Sequence, residues 1–195
     1  MCPEKDGTSV SLGGGSRRGG DGAVRFLREH GRRSLVSLGC GGRLNRLDNH
    51  LRLWCALGLE HYVGVDKRDW IAARWDDLFQ DEKAALDLLD GRKLTARDFL
   101  ERVRLFPRTR VEDLFGIPCA AVVCQRVLPF HHWEAVVASM EPRWILQEDF
   151  HGCERQDFRP WGYRRAMDAA GRWGFIPFRP WRIFPGERNY VLWCR

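Results

Sequence analysis

Hydrophobic and polar positions along the chain fall into two alternating textures. Short, nearly unbroken apolar runs occur at Leu35–Leu38, Tyr62–Val65, Ala120–Cys124 and, with one arginine at its head, Arg143–Gln147. Each has the length of a strand buried on both faces, which is how strands of a parallel sheet read. Between the first two runs, Leu44, Leu47, Leu51, Trp54 and Cys55 recur at helical spacing, and Gly58 stands where a C-terminal cap belongs. Strand, glycine turn, helix and second strand therefore make one β-α-β unit over Ser34–Asp66. A short helix over Ala23–Arg32, ended by Gly31, precedes it.

After Asp66 the periodicity is helical for about 40 residues, through Trp70-Ile71, Leu78-Phe79, Leu88-Leu89, Phe99-Leu100, Val103 and Leu105. This predicts a helical insertion over 68–106, in which Thr95 and Asp98 have the spacing of a capping box with Asp in place of Glu or Gln. The sequence Thr109–Asp113 (TRVED) reads as a third strand with acids at its tip. Ala120–Cys124 is the central fourth strand, Glu134–Met140 a helix and Arg143–Gln147 the fifth strand. Gly162–Gly171 reads as a helix, and Phe175–Phe184 with Asn189–Trp193 as a closing hairpin turning at Pro185–Arg188. Residues 1–22 carry Gly, Ser, Arg and Asp with little to bury and read as a disordered tail; 23–195 make one domain. Within the tail, the run Gly13–Gly20 has no strand before it and no Gly-Lys-Ser/Thr ending, so it is a linker rather than a phosphate cradle.

Chemistry follows from the β-α-β geometry. Glycines at a strand-to-helix turn let a ligand approach the backbone, the helix start offers N–H groups, and an acid ending the next strand can accept hydrogen bonds from ribose hydroxyls. A nucleoside-containing ligand fits this arrangement. The dinucleotide fingerprint wants a third glycine three places after the second and its acid about 20 residues on. Here that position is Leu44, and Asp66 lies 27 residues after Gly39, which disfavours a nicotinamide cofactor.

The pattern Val-Ser-Leu-Gly-Cys-Gly-Gly (36–42) followed by Gly-Val-Asp (64–66) resembles the class I S-adenosylmethionine-dependent methyltransferases. In element order the resemblance spans about Ser34–Arg195. It implies a Rossmann-like, doubly wound, mostly parallel α/β sheet with a C-terminal antiparallel hairpin, and S-adenosylmethionine as cofactor. It places Gly39 and Gly41, with Cys40 and Gly42, against the methionine part of that cofactor, and Asp66, with Lys67 beside it, at the ribose. Glu112 or Asp113 would contact the adenine amino group, and Gln125 leaves the fourth strand where the family's fourth motif lies. Two positions depart from the family pattern: Ser37 stands where an acid is usual, and Arg43 where a third glycine is usual. His131 and His132, just beyond the fourth strand, are the candidate general bases for an acceptor with a proton to lose. A solvated loop is the bland alternative.

Composition narrows the partners only a little. The net charge is +6 and the pI about 9.2, yet the arginines are spread over the whole length and lysine occurs only at positions 5, 67, 83 and 93. A polyanion is permitted rather than demanded. Seven cysteines without a C-x-x-C pair read as small buried hydrophobes in a reducing compartment. No apolar run reaches the roughly 18 residues of a membrane span, and the N-terminus lacks a signal-peptide core, so the expected location is the cytoplasm. His131, His132, His151 and Cys153 with Glu148 and Asp149 have no recognised ligand spacing, and no metal is expected. Phe-Arg-Pro-Trp occurs twice, at 158–161 and 178–181, and suits a hairpin edge or an aromatic wall of an acceptor pocket. The expected function is methyl transfer from S-adenosylmethionine to an acceptor, a small molecule ahead of RNA or protein. The alternatives are a non-catalytic module that keeps the fold and an RNA methyltransferase.

Overall fold

Strands form where apolar runs have partners on both sides. The computed structural model describes residues 20–40, 47–69, 82–124, 133–149, 157–166 and 189–195. They contain seven strands in one sheet: β1 (Ser34–Leu38), β2 (His61–Val65), β3 (Val103–Phe106), β4 (Ala121–Cys124), β5 (Trp144–Asp149), β6 (Arg164–Arg165) and β7 (Asn189–Cys194). The described helices are α1 (Gly20–His30), α2 (Leu47–Ala56), α3 (Glu82–Asp90), α4 (Ala96–Arg102) and α5 (Trp133–Ser139). The strand order is β3-β2-β1-β4-β5-β7-β6, parallel from β3 to β5, with β7 antiparallel to both β5 and β6.

β1 lies at the centre, Val36 opposite Val63 on β2 and Val122 on β4. All five of its residues are buried, as the unbroken apolar run requires. Successive side chains point to opposite faces. Leu35 therefore joins Leu51, Trp54, Tyr62 and Phe99 under α2 and α4, while Val36 and Leu38 join Leu27, Val63, Val137 and Trp193 under α1 and α5. Trp54, Tyr62 and Phe99 are fully buried and packed edge to face. Each removes enough apolar surface from water to contribute about 2–3 kcal/mol.

Several predicted boundaries hold within a residue or two, among them β1, β2, β4 and α5. Gly58 ends α2 with φ +63°, and the Thr95 capping box is formed: the Thr95 hydroxyl accepts from the Asp98 N–H (3.1 Å), and the Asp98 carboxylate accepts from the Thr95 N–H (2.8 Å). Three expectations are corrected. The third strand is Val103–Phe106, not Thr109–Asp113, and 111–114 is a 3-10 turn; of the span expected as a helical insertion, 70–81 lie outside the described residues and the described helices, α3 and α4, end by Arg102. Arg164–Arg165, expected in a helix, forms the edge strand β6. α1 begins at Gly20, inside the expected tail. The first arm of the expected closing hairpin, 175–184, lies outside the described residues; its second arm is β7, paired along its whole length with β5.

Candidate functional site

In an open parallel sheet the cleft lies at the carboxyl ends of neighbouring strands whose crossovers leave in opposite directions. Here the order β2-β1-β4 makes β1 that point. Gly39 follows β1 with φ +67°, a conformation that costs side chains with a Cβ. This lets the chain double back, so that the N–H groups of Gly39 and Cys40 both donate to the carbonyl of Val65, at 2.9 and 3.1 Å. The glycine turn is thereby fastened to the residue immediately before Asp66.

Asp66 is 8% exposed, and one of its carboxylate oxygens accepts from the Arg68 N–H at 2.8 Å. A further set of backbone bonds holds this corner. Asp66 N–H donates to Phe106 (3.3 Å), Arg108 N–H to Arg68 (3.1 Å) and Thr109 N–H to Asp66 (2.9 Å), while the Arg108 guanidinium pairs with Asp69. The loops leaving β2 and β3 thus form one braced wall. The brace was not legible in the sequence, because its bonds come from the backbone; the Pro107-Arg108 turn was the available signal.

Cys40 turns inward. Its thiol is buried beside Gly64, and burial, with the Asp66 charge, pushes its pKa far up. Lys67 is exposed. Beneath the turn, on the α2 face, the Tyr62 hydroxyl and His50 Nδ1 lie 3.1 Å apart, both fully buried. Burial lowers the His50 pKa to about 3 and raises that of Tyr62. Ser37 is buried close to this phenol, and its hydroxyl makes no hydrogen bond of ordinary geometry.

With β3 relocated, Glu112 and Asp113 no longer stand at a strand tip. Both are exposed on the 3-10 turn, and the Asp113 carboxylate accepts from the Arg110 N–H (2.9 Å) and lies against Gly20 at the start of α1. The adenine contact assigned to them loses the geometry on which it was based. Gly41, Gly42, Gln125, His131, His132, His151 and Cys153 lie outside the described residues, as do the side chains of Glu148 and Asp149. Among the described residues no group of three or more His, Cys, Asp or Glu could hold a metal ion, and no helix is long and apolar enough to cross a membrane. Four of the five described cysteines are buried and the fifth, Cys55, is partly so; all five are free thiols.

No protein-family profile and no curated protein matches the sequence. Solved structures similar in fold include the YcgJ protein of Bacillus subtilis, at 13% identity and TM-score 0.32 over 68% of this chain and 50% of that one. The 16S rRNA (adenine(1408)-N(1))-methyltransferase of Catenulisporales acidiphilia aligns at 11% identity and TM-score 0.40, over 89% of each chain. The glycopeptide N-methyltransferase MtfA, complexed with sinefungin, aligns at 14% identity and TM-score 0.33, over 98% of this chain and 72% of that one. The chain thus spans about half the length of YcgJ and most of the other two. Independently of these similarities, the sheet order and the antiparallel β7 give this chain the Rossmann-like fold of the class I S-adenosylmethionine-dependent methyltransferases.

Proposed function

We propose that the chain binds S-adenosylmethionine at the carboxyl ends of β1 and β2 and transfers its methyl group to an acceptor. The observation that carries this reading is the joint at Val65, where the Gly39 turn and the Asp66 carboxylate are held side by side by two hydrogen bonds to one carbonyl. The donor set fits the cofactor: a bare backbone turn at one strand end for the methionine part and a carboxylate at the next for the ribose. S-adenosylmethionine would supply an electrophilic methyl carbon on a sulfonium.

The chain's own contribution is to hold and shield. Gly39 and Cys40 present backbone, and Asp66 accepts from the ribose hydroxyls. The braced β2–β3 wall keeps that carboxylate in place, so alignment of acceptor and methyl group can supply most of the rate. His131 and His132 are the candidate bases when the acceptor must lose a proton. A small nucleophile is the first acceptor class to test and RNA the next.

Calorimetric titration with S-adenosylmethionine and S-adenosylhomocysteine tests the reading, which fails if neither gives heat at millimolar concentration. Asp66→Asn keeps an oxygen for the Arg68 N–H while weakening the ribose contact, and should lower affinity by about tenfold or more. A second reading, a binding module without turnover, is favoured by Ser37: its neutral, buried hydroxyl stands where the family carries an acid. Tight cofactor binding without methyl transfer to small molecules, RNA or protein would select it.

A further inference from the structure

Tyr62 belongs to the apolar cluster under α2, with Leu35, Leu51, Trp54 and Phe99, yet its hydroxyl lies 3.1 Å from Nδ1 of His50 on that helix. Neither side chain has any exposed surface, and the two rings are nearly parallel, 15° apart. The Ser37 hydroxyl lies close to the phenol from the β1 side.

A buried pair of this kind is a poor way to gain stability. Its two groups give up water on folding, and the bond between them offsets that loss with little to spare. An apolar pair of similar shape would hold the core about as well. What apolar packing lacks is direction, whereas a hydrogen bond fixes a distance and an angle. Here the direction runs from α2 to β2.

β2 is also the strand to which the glycine turn is fastened. The Gly39 and Cys40 N–H groups meet the Val65 carbonyl. One residue earlier, Gly64 leaves the room that the Cys40 side chain occupies: a Cβ on it would stand 3.0 Å from Cys40 Sγ. Two residues before that, Tyr62 meets His50. Within Tyr62–Val65, therefore, one strand seats both the turn that follows β1 and the helix α2, and the same strand leads directly into Asp66.

We infer that Tyr62 and His50 are positioning residues for the cofactor: their bond holds α2 and the glycine turn at the spacing from Asp66 that the amino-acid part and the nucleoside of S-adenosylmethionine together require. The inference rests on the S-adenosylmethionine reading of this site. Being without exposure, neither side chain contacts the ligand; both act through the backbone elements they join.

Calorimetric titration of the full chain with S-adenosylhomocysteine and, separately, with adenosine tests this, beside the urea midpoint of each variant. Tyr62→Phe keeps the ring in the core and removes the bond. It should weaken S-adenosylhomocysteine by about five- to tenfold and leave adenosine, which lacks the amino-acid part, binding as it does to the parent. His50→Gln still offers the phenol a partner and should keep most of the affinity for S-adenosylhomocysteine. His50→Leu combined with Tyr62→Phe replaces the pair by apolar groups. Its urea midpoint should lie near the parent's, while its affinity for S-adenosylhomocysteine should stay as low as that of Tyr62→Phe. Thr95→Ala, which loosens the start of α4, should lower the midpoint and leave the affinity unchanged. The inference is overturned if the double variant binds S-adenosylhomocysteine as the parent does, or if Tyr62→Phe weakens adenosine as much as S-adenosylhomocysteine. It is also overturned if Thr95→Ala, at a similar loss of midpoint, weakens S-adenosylhomocysteine as much as Tyr62→Phe. No heat from the parent with S-adenosylhomocysteine is a different failure: it overturns the S-adenosylmethionine reading itself, and the inference falls with it.

Discussion

Gly39 is a residue whose missing side chain shapes the cleft. At φ +67° a Cβ meets the neighbouring carbonyl, so Gly39→Ala should cost about 1–2 kcal/mol. It should also loosen the two hydrogen bonds to Val65. Urea denaturation and cofactor titration measured together will show both losses. His50 makes a different statement, about pH. Its folded pKa, about 3, lies below the ordinary value of 6.5, because burial disfavours the imidazolium. The neutral ring's contribution is therefore complete above the unfolded pKa and is lost as pH falls below it, while the unfolded chain takes up the proton. Lowering the pH from 7 to 5 should cost the parent about 2 kcal/mol more than His50→Gln, which offers Tyr62 a partner that does not titrate. Urea midpoints at the two pH values check this. The turn at Gly39 and the position of Asp66 just past β2 were legible in the sequence, because they follow from backbone conformation and a strand end. The His50–Tyr62 pair was not, since nothing in the sequence spacing shows that a histidine of α2 lies over a tyrosine of β2.

Among the elements, the short connections decide most. The Thr95 box starts α4, and Thr95→Ala should cost about 1 kcal/mol. Faster amide exchange over 96–102 will be the local sign. Gly31 has a stricter requirement: a Cβ there would stand 1.9 Å from the Pro118 carbonyl oxygen, and the Gly31 carbonyl itself accepts from Ala120. The turn between α1 and β1 is thus pressed against the entry to β4, backbone on backbone. Gly31→Ala should cost about 3 kcal/mol, at the upper end for overpacking, because neither partner can rotate away. β3 shows why an element escapes reading. It follows α4 directly, with Val103 already extended as the helix cap, and only Val103 of its four residues is buried. Leu100 and Val103 are three residues apart, so the apolar pattern stays helical across a boundary that the backbone has already crossed. β6 is two exposed arginines and carries no apolar signal at all.

The whole molecule was legible in so far as its strands are buried on both faces. β1, β2 and β4 could be read as apolar runs, and their order follows from the crossover rule once a βαβ pattern is recognised. What remained hidden was where the sheet's edges fall, because edges are half exposed and sequence contrast fades there. A ligand that binds only the folded sheet stabilises all of it. S-adenosylhomocysteine at about 100 times its Kd should add about 2.7 kcal/mol, raising the melting temperature by about 5–10 °C. Asp66→Asn, with affinity about tenfold lower, should lose about half of that shift at the same ligand concentration.

The placing of β7 also has a consequence for synthesis. β5 ends at Asp149, and its partner on that side begins at Asn189. At about 5–20 residues per second, the ribosome needs about 2–8 s to make the intervening stretch and longer to release it from the exit tunnel. For that interval β5 presents Ile145 and Leu146 on an edge with no strand beside it, a state that invites pairing with another nascent chain. Slow codons between 150 and 188 would lengthen the exposure, and fast ones would shorten it.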